Sequence, residues 1–211
     1  MHPHAETLWR GPRWTLAILL AVLGMLGPFS IDTYLPAFSG IASSLNASPV
    51  HMQQTLSAYL FGFAFMNLFH GALADSFGRR PVILWGLMAF TLASLGCALA
   101  QNVTQLIVFR AMQGLSCGAG VVVSRAIVRV ISPPTQAQKV MSQITIFFGL
   151  APAIAPIMGG WLFVSLGWHS IFWLLTAIGL ALWAVNFKML PESLHASQRQ
   201  PFSIPHLLRG S

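Results

Sequence analysis

The chain has 211 residues, of which 55% are hydrophobic and only 7% are charged. A soluble domain carries about 25% charged residues, so this composition excludes an ordinary soluble domain and indicates a protein that lies in lipid. Eleven Lys and Arg against four Asp and Glu give a formal net charge of +7. Because the basic residues stand in short clusters between apolar stretches, they indicate membrane topology rather than a nucleic-acid-binding surface.

Six apolar stretches follow one another along the chain, and each approaches the roughly 20 helical residues that cross a bilayer. Backbone polar groups in lipid must be satisfied internally, so each stretch is predicted to be a helix. The first lacks a signal-peptide cleavage site and is expected to be retained. The predicted fold class is therefore an all-α membrane protein, with residues 14–190 as its bundle. The predicted spans are residues 14–35, 56–74, 82–99, 104–123, 144–163 and 171–190.

The loops predict the orientation of these helices, because Lys and Arg in short loops mark the cytoplasmic side. The loops around residues 46–51, 101–102 and 167–169 contain neither. Both termini are therefore predicted to be cytoplasmic: residues 1–13 as a short start, and residues 191–211 as the beginning of a loop that looks cut off. The basic residues at the other helix ends are Arg10, Arg13, Arg79, Arg80, Arg125, Arg129, Lys139, Lys188, Arg199 and Arg209.

Two ionisable residues lie within predicted spans, where such groups are costly and commonly functional: Asp32 and Arg110. A carboxyl group in apolar surroundings can load and release protons, so Asp32 is a candidate for proton coupling. The alternative is that it only caps or wets an irregular helix end. Arg110 stays charged, and it either bonds to backbone carbonyls of a broken neighbouring helix or tunes a protonatable partner or a substrate. Gln113 shares its helix face, and Gln113 and Tyr59 are weaker candidates to line a substrate cavity.

The turn between the second and third spans reads Gly71-Ala-Leu-Ala-Asp75-Ser-Phe-Gly78-Arg79-Arg80. Its glycines allow two helix ends to approach closely. Asp75 is expected to pair with Arg79 or Arg80, because the low dielectric near the membrane strengthens that attraction. The alternative, in which the arginines only set topology, does not account for the spacing of the glycines and the aspartate.

The fifth span contains Pro152 and Pro156, followed by Gly159 and Gly160. Proline removes a helical hydrogen bond and glycine removes steric bulk. The span is therefore predicted to be broken at the prolines, bendable, and closely packed at the glycines. Ordinary helix packing is the alternative interpretation.

These motifs resemble the major facilitator superfamily, whose pattern between helices 2 and 3 is Gly-x-Leu-Ala-Asp-x-x-Gly-Arg-Arg. Residues 30–37 (Ser-Ile-Asp-Thr-Tyr-Leu-Pro-Ala), 110–114 (Arg-Ala-Met-Gln-Gly) and 151–160 are similar to the Bcr/CflA group of drug/proton antiporters. The resemblance covers nearly the whole chain. It implies the amino-terminal six-helix half of a twelve-helix transporter, with each half built from two three-helix units of opposite orientation.

The resemblance also implies a function, which is proton-coupled efflux of small amphipathic drugs across the bacterial inner membrane by alternating access. Asp75, Gly78, Arg79 and Arg80 would form a cytoplasmic gate, and Arg110 would belong to the proton-coupling motif. The expected partners are the lipid bilayer, a drug, protons, and either a missing carboxy-terminal six-helix half or a second copy of the chain. The alternatives are a non-transporting membrane fragment or assembly partner, and a major facilitator transporter of a metabolite.

Enzymatic activity is not expected, because the sequence contains no nucleophile elbow, zinc-protease helix or phosphate-binding loop. A proton gradient is the expected energy source, with no cofactor, metal or nucleic acid. Cys97 and Cys117 both lie in apolar stretches and show neither a disulfide framework nor zinc-ligand spacing.

Overall fold

The computed structural model describes residues 13–131, 134–190 and 192–194, and all regular structure in these ranges is helical. The predicted start at residues 1–13 and the loop at residues 191–211 lie almost entirely outside the described residues. The elements are α1 (Arg13–Asp32), a 3₁₀ turn (Leu35–Ala37), α2 (Phe38–Ser44), α3 (Pro49–Phe77), α4 (Arg79–Ala98), α5 (Val103–Ile131), α6 (Pro134–Leu166) and α7 (His169–Met189).

Six helical stretches of the described chain are long and apolar enough to cross a membrane. This finding confirms the predicted all-α fold with six spans. The stretches are Thr15–Ser44, Pro49–Phe77, Arg79–Ala98, Val103–Val128, Val140–Leu166 and His169–Met189.

Several helices are longer than predicted. The second span was expected from residue 56, but α3 begins at Pro49, where the side chain of Ser48 accepts a hydrogen bond from the backbone N–H of His51. Likewise α5 continues to Ile131 rather than fading near residue 123, and α6 begins ten residues earlier than expected. Hydropathy detects only the part of a helix that lies in hydrocarbon, whereas the helices continue as polar turns beyond it.

The predicted break at Pro152 and Pro156 is wrong, because α6 is continuous through both residues. Each proline removes one helical hydrogen bond, and the bonds of the flanking turns maintain the helix across it. The first predicted span is the one that is interrupted. There α1 ends at Asp32, and a 3₁₀ turn containing Pro36 leads into α2.

The two helices at the centre of the bundle are α1 and α5, which pack against each other. Helix α1 also packs on α6, and α5 also packs on α3 and α4, with α7 lying against α4. The first span (α1) packs on the second span of the other three-helix unit (α6), and the fourth span (α5) likewise packs on the second span of the first unit (α3). This partial symmetry agrees with the plan of two three-helix units. The least buried spans are α3 and α6, in which 17% and 18% of the 18-residue apolar segment is buried inside the bundle.

Glycines bring the central helices into backbone contact. A Cβ atom on Gly114 of α5 would overlap the carbonyl group of Tyr59 on α3, and one on Gly62 would lie 2.7 Å from the carbonyl oxygen of Ala111. Between α5 and α1, a Cβ atom on Gly120 would lie 2.5 Å from the carbonyl oxygen of Leu23. In lipid, where apolar side chains gain nothing from leaving water, such close packing is a main source of helix association.

Gly114→Ala is expected to destabilise the bundle, because the obstacle is backbone that cannot move aside like a flexible side chain. Overpacking typically costs about 1–3 kcal/mol, and we expect the upper part of that range. The measurement is the amount of monodisperse protein left after stepwise heating in detergent.

The matched control is Gly149→Ala in α6, where a Cβ atom would meet nothing within 4 Å. This change should leave stability equal or slightly higher, since alanine favours a helix over glycine by about 0.5–1 kcal/mol. Equal losses in the two variants would contradict the packing argument.

Candidate functional site

Arg110 lies two turns into α5, and its side chain is fully buried. Its Nη1 donates to Oε1 of Gln113 at 2.7 Å and to Oγ of Ser30 on α1 at 3.3 Å. Gln113 in turn donates from Nε2 to Oγ of Ser94 on α4, at 2.7 Å. A chain of hydrogen bonds therefore joins three membrane spans through one arginine.

Two tyrosine rings contact the same guanidinium group. Its central carbon lies 4.5 Å from the ring centroid of Tyr34 and 4.2 Å from that of Tyr59. Hydrogen bonds of the phenol hydroxyl groups hold both rings in place. The hydroxyl of Tyr34 is hydrogen-bonded to that of Thr55 at 2.6 Å, and the hydroxyl of Tyr59 donates to the carbonyl oxygen of Gly27 at 2.9 Å. A cation over aromatic faces gains about 2 kcal/mol or more when it is desolvated. We call Ser30, Tyr34, Tyr59, Ser94, Arg110 and Gln113 the Arg110 cluster.

The Arg110 cluster leaves part of its hydrogen-bonding capacity unused. Nε and Nη2 of Arg110 are buried and have no hydrogen-bond partner among the described residues. A guanidinium group has five N–H donors in a planar fork, which matches carboxylate and other acceptor oxygens. Nε and Nη2 are therefore unused donors, of the kind that bind a carbonyl, hydroxyl or carboxylate oxygen. No group of three or more His, Cys, Asp or Glu in the described residues is placed to hold a metal ion.

Asp32 lies beside this cluster but does not join it. It is the last residue of α1 and is half-buried, and among the described residues no hydrogen bond or ion pair links it to Arg110. The flanking residues Ser30 and Tyr34 make the contacts to the arginine instead. Asp32 therefore stands where the alternative interpretation, in which it only caps or wets an irregular helix end, would place it.

The surroundings of Arg110 differ in part from the sequence-based expectations. Gln113 shares its face as predicted, whereas the hydrogen bonds go to side chains rather than to backbone carbonyls. Tyr59 and Gln113 are fully buried as parts of the cluster. The sequence analysis missed Ser94, although a serine in the middle of an apolar span is itself a signal. It also missed Tyr34, four residues after Ser30.

The glycine motif of α6 meets the chain next to Asp32. A Cβ atom on Gly159 would overlap the carbonyl group of Thr33, whereas one on Gly160 would lie 3.8 Å from the Cβ atom of Pro36. Close packing is therefore required at Gly159 and not at Gly160. Any motion of α6 at this level acts directly on the backbone that follows Asp32.

The turn between α3 and α4 contacts the segment that follows α7. Gly78 forms the turn with a φ of 105°, a conformation that favours glycine. The backbone N–H of Arg79 donates to Oε1 of Glu192 at 3.1 Å, and its Nη1 donates to Oγ of Ser193 at 3.4 Å. Glu192 thereby caps the N-terminus of α4, where a carboxylate is favoured.

The expected pairing of Asp75 is found among the described residues only as an electrostatic attraction to Arg79, without direct contact. Asp75 is exposed, and within the described ranges it makes no ion pair with either arginine. Arg80 donates from Nη2 to the carbonyl oxygen of Phe187 at 2.7 Å. The Gly78 turn directs both arginines towards α7 and the segment after it, where acceptors are already in place. Gly71 lies nearby on α3, and a Cβ atom there would have room, 3.8 Å from a methyl group of Val122.

The comparisons with known proteins agree with this architecture. Six membrane-crossing helices around a buried arginine are typical of a multi-span transporter. The profile of the Major Facilitator Superfamily matches residues 10–208. The chain belongs to that superfamily, which is a family of transporters and not of enzymes. It is a multi-pass membrane protein.

Two curated relatives illustrate the match. The chain is 39% identical over 193 residues to the bicyclomycin resistance protein homolog of Haemophilus influenzae, covering 92% of this chain and 48% of the relative. It is 35% identical over 175 residues to the multidrug resistance protein MdtL of Escherichia coli, covering 83% of this chain and 45% of the relative. The chain therefore spans about half the length of these relatives, corresponding to their amino-terminal half.

Solved structures show the same fold. A bacterial homolog of the human lysosomal transporter Spinster, inward-facing and unoccupied, matches with a TM-score of 0.74 at 16% identity, over 94% of this chain and 47% of its own. The human organic anion transporter MFSD10 matches with a TM-score of 0.70 at 21% identity, over 94% and 53%.

Gln113→Leu is expected to destabilise the bundle by about 1–3 kcal/mol, because it removes the hydrogen bonds that the amide makes with a buried charged donor and a buried serine. The measurement is again the heating series in detergent. The matched control is Gln143→Leu on α6, since the side chain of Gln143 is exposed and makes no hydrogen bond to the described residues. A loss in the control as large as that of Gln113→Leu would contradict the role given to the amide.

Proposed function

We propose that the chain is half of a proton-coupled exporter of small amphipathic drugs in the bacterial inner membrane, an antiporter that works by alternating access. The observation that carries the proposal is Arg110, a buried charge on which two N–H-bearing nitrogens have no hydrogen-bond partner among the described residues. Charged residues inside spans commonly mark substrate or ion pathways. Relatives named for bicyclomycin and multidrug resistance support the choice of drugs as substrates.

In the proposed mechanism, Asp32 and Arg110 respond to each other through the segment between Ser30 and Tyr34. Protonation of Asp32 removes the negative charge at the end of α1, two residues after Ser30, which bonds to Arg110. A drug that offers an acceptor oxygen to Arg110 acts on the same cluster. Proton and drug therefore compete. Each shifts the population of inward-open and outward-open states by its differential affinity for them.

Asp75, Gly78, Arg79 and Arg80 are proposed to form the cytoplasmic gate. The contact of Arg79 with Glu192 and Ser193 fixes the turn against the end of the sixth span. Asp75 remains exposed at the same end, so its carboxylate is available to a partner helix. We place that partner in the second half of the transporter.

The transport unit is proposed to need six further helices, supplied by a carboxy-terminal half or by a second copy of the chain. The helices α3 and α6 are the least buried spans, so they are the surfaces on which such a half would pack. In α6, Pro152, Pro156, Gly159 and Gly160 are proposed to allow bending against the end of α1. The tight contact of Gly159 with Thr33 supports this coupling.

The proposed orientation places both termini in the cytoplasm. It can be measured with single cysteines, because Cys97 and Cys117 are both buried and can be replaced by alanine. A membrane-impermeant maleimide added to intact cells should label Gln101→Cys but not Gln138→Cys, both exposed positions. In permeabilised cells both positions should be labelled. Labelling of position 138 in intact cells would show that the orientation is the reverse of the one proposed.

Asp32→Asn, in a version that carries the second six helices, is expected to abolish drug-driven proton movement while drug binding persists. The physical reason is that the amide cannot be protonated at this position. The assay is a pH-sensitive dye in inverted vesicles, with a drug added after a proton gradient is formed. Asp32→Glu is the matched control, since it keeps a carboxyl group and should retain part of the signal. Unchanged proton movement in the asparagine variant would refute the role of Asp32.

A second candidate function follows from the length of the chain, which is about half that of its relatives. In this alternative the 211-residue chain is a non-transporting membrane fragment or an assembly partner. Uncoupler-sensitive drug accumulation in vesicles that contain only this chain would support transport by a second copy. Correct insertion without accumulation would support the alternative. Accumulation of a metabolite but of no drug would identify a metabolite transporter.

A further inference from the structure

A groove of about 350 Å³ lies between α4 and α7, at the same end of the bundle as the α3–α4 turn. One of its walls is aromatic, because the rings of Trp183 and Phe187 are stacked with centroids 5.3 Å apart. Trp85 stands at the rim with 75% of its surface exposed. The α4–α7 groove is lined by Arg80, Leu84, Trp85, Met88, Trp183 and Phe187, together with Pro81.

A single basic side chain closes this apolar groove at one end. The guanidinium carbon of Arg80 lies 5.6 Å from the ring centroid of Phe187, and its Nη2 is bonded to the carbonyl oxygen of that residue. These two contacts fix the arginine, while its Nε is buried and has no hydrogen-bond partner in the part of the chain that the structure describes. Lys188 is exposed on the last turn of α7, next to Phe187. The groove therefore combines positive charge at its mouth with an apolar wall along its length.

The neighbouring carboxylate does not neutralise this charge by direct contact. Glu192 accepts hydrogen bonds at Oε1 from the backbone N–H groups of Arg79 and Leu194. Within the described ranges, the hydrogen bond of Arg80 goes to a backbone carbonyl and not to an acid. An anionic ligand at the mouth would thus meet N–H donors that no carboxylate occupies.

The position of the groove in the bundle favours lipid over protein as its occupant. A second half of the transporter is proposed above to cover α3 and α6, whereas the groove lies between α4 and α7. An amphiphile with a negative headgroup and an apolar chain is complementary to both parts of the groove. Basic pockets between membrane helices recognise anionic lipid headgroups in this way.

We propose that the α4–α7 groove is a binding site for an anionic phospholipid, with the phosphate at Arg80 and an acyl chain along Leu84, Met88 and Trp183. The site is separate from the Arg110 cluster, and the proposal does not depend on transport. The lipid would brace α4 against α7 next to the turn that is proposed to act as a gate.

The test is native mass spectrometry of the 211-residue chain, released from micelles that contain equal amounts of dioleoylphosphatidylglycerol and dioleoylphosphatidylcholine. The unchanged chain should retain the phosphatidylglycerol preferentially. Arg80→Gln should reduce that preference about fivefold, as expected for one basic residue at an anionic surface. Arg125→Gln is the matched control, because Arg125 is an exposed basic residue on α5 that does not line the groove.

A second pair of variants tests the apolar part and guards against misfolding of Arg80→Gln. Leu84→Trp fills the groove and leaves Arg80 in place, so it should also lower phosphatidylglycerol retention. Leu92→Trp changes a residue on the same helix that is 59% exposed and does not line the groove, and it should have no effect.

Three outcomes would overturn the proposal. The first is equal retention of the two lipids by the unchanged chain. The second is an equal loss in Arg80→Gln and Arg125→Gln, which would reduce the effect to net charge. The third is a dimer whose formation depends on Leu84 and excludes lipid, which would assign the groove to a second copy of the chain.

Discussion

The buried charge of Arg110 is the constraint on which the rest of the bundle depends. A guanidinium group at the centre of a span costs roughly 2.5–3.5 kcal/mol even on the lenient insertion scales, and it cannot escape that cost by losing its proton. The fold stabilises it with a carboxamide, a hydroxyl group and two aromatic faces, which come from α5 itself, α1, α3 and the turn after α1. Because these groups must meet at one point, the arginine fixes the register of the central helices.

This polar cluster depends on the glycines of the same helix. Gly114 lies one residue after Gln113, and it places α5 directly against the backbone of Tyr59, whose ring covers the guanidinium group. A larger residue at this position would separate the two helices and withdraw the ring from the charge. Close packing and charge stabilisation are therefore one structural feature. Either part alone would leave the arginine with too few contacts in a medium that contains no water to replace them.

The sequence predicts the number and type of elements well, because a bilayer requires long apolar helices and hydropathy measures that requirement directly. It predicts helix ends poorly, as the polar first turns of α3 show. It identifies Arg110 because a charged residue within an apolar span is conspicuous. It identifies Gln113 because residues three apart on a helix lie on the same face. The ring of Tyr34 and the hydroxyl group of Ser94 reach the arginine through tertiary packing, which a single sequence does not encode visibly. Direct contact between Asp75 and Arg79 did not form for a similar reason, since Glu192 and Ser193, which bond to Arg79 instead, lie over a hundred residues away.

Arg79 and Arg80 show how one short motif can serve two environments. Successive residues on a helix point about 100° apart, because 3.6 residues complete a turn. Arg79 is therefore directed towards Ser193 after the last span, while Arg80 is directed towards the ring of Phe187 and the α4–α7 groove. The first contact ties the turn to the segment after α7, and the second ties it to α7 itself, beside the proposed lipid site. A gate at this turn would thus be sensitive both to the rest of the transporter and to the lipid around it. That double attachment gives a physical reason for two adjacent arginines where one would satisfy topology.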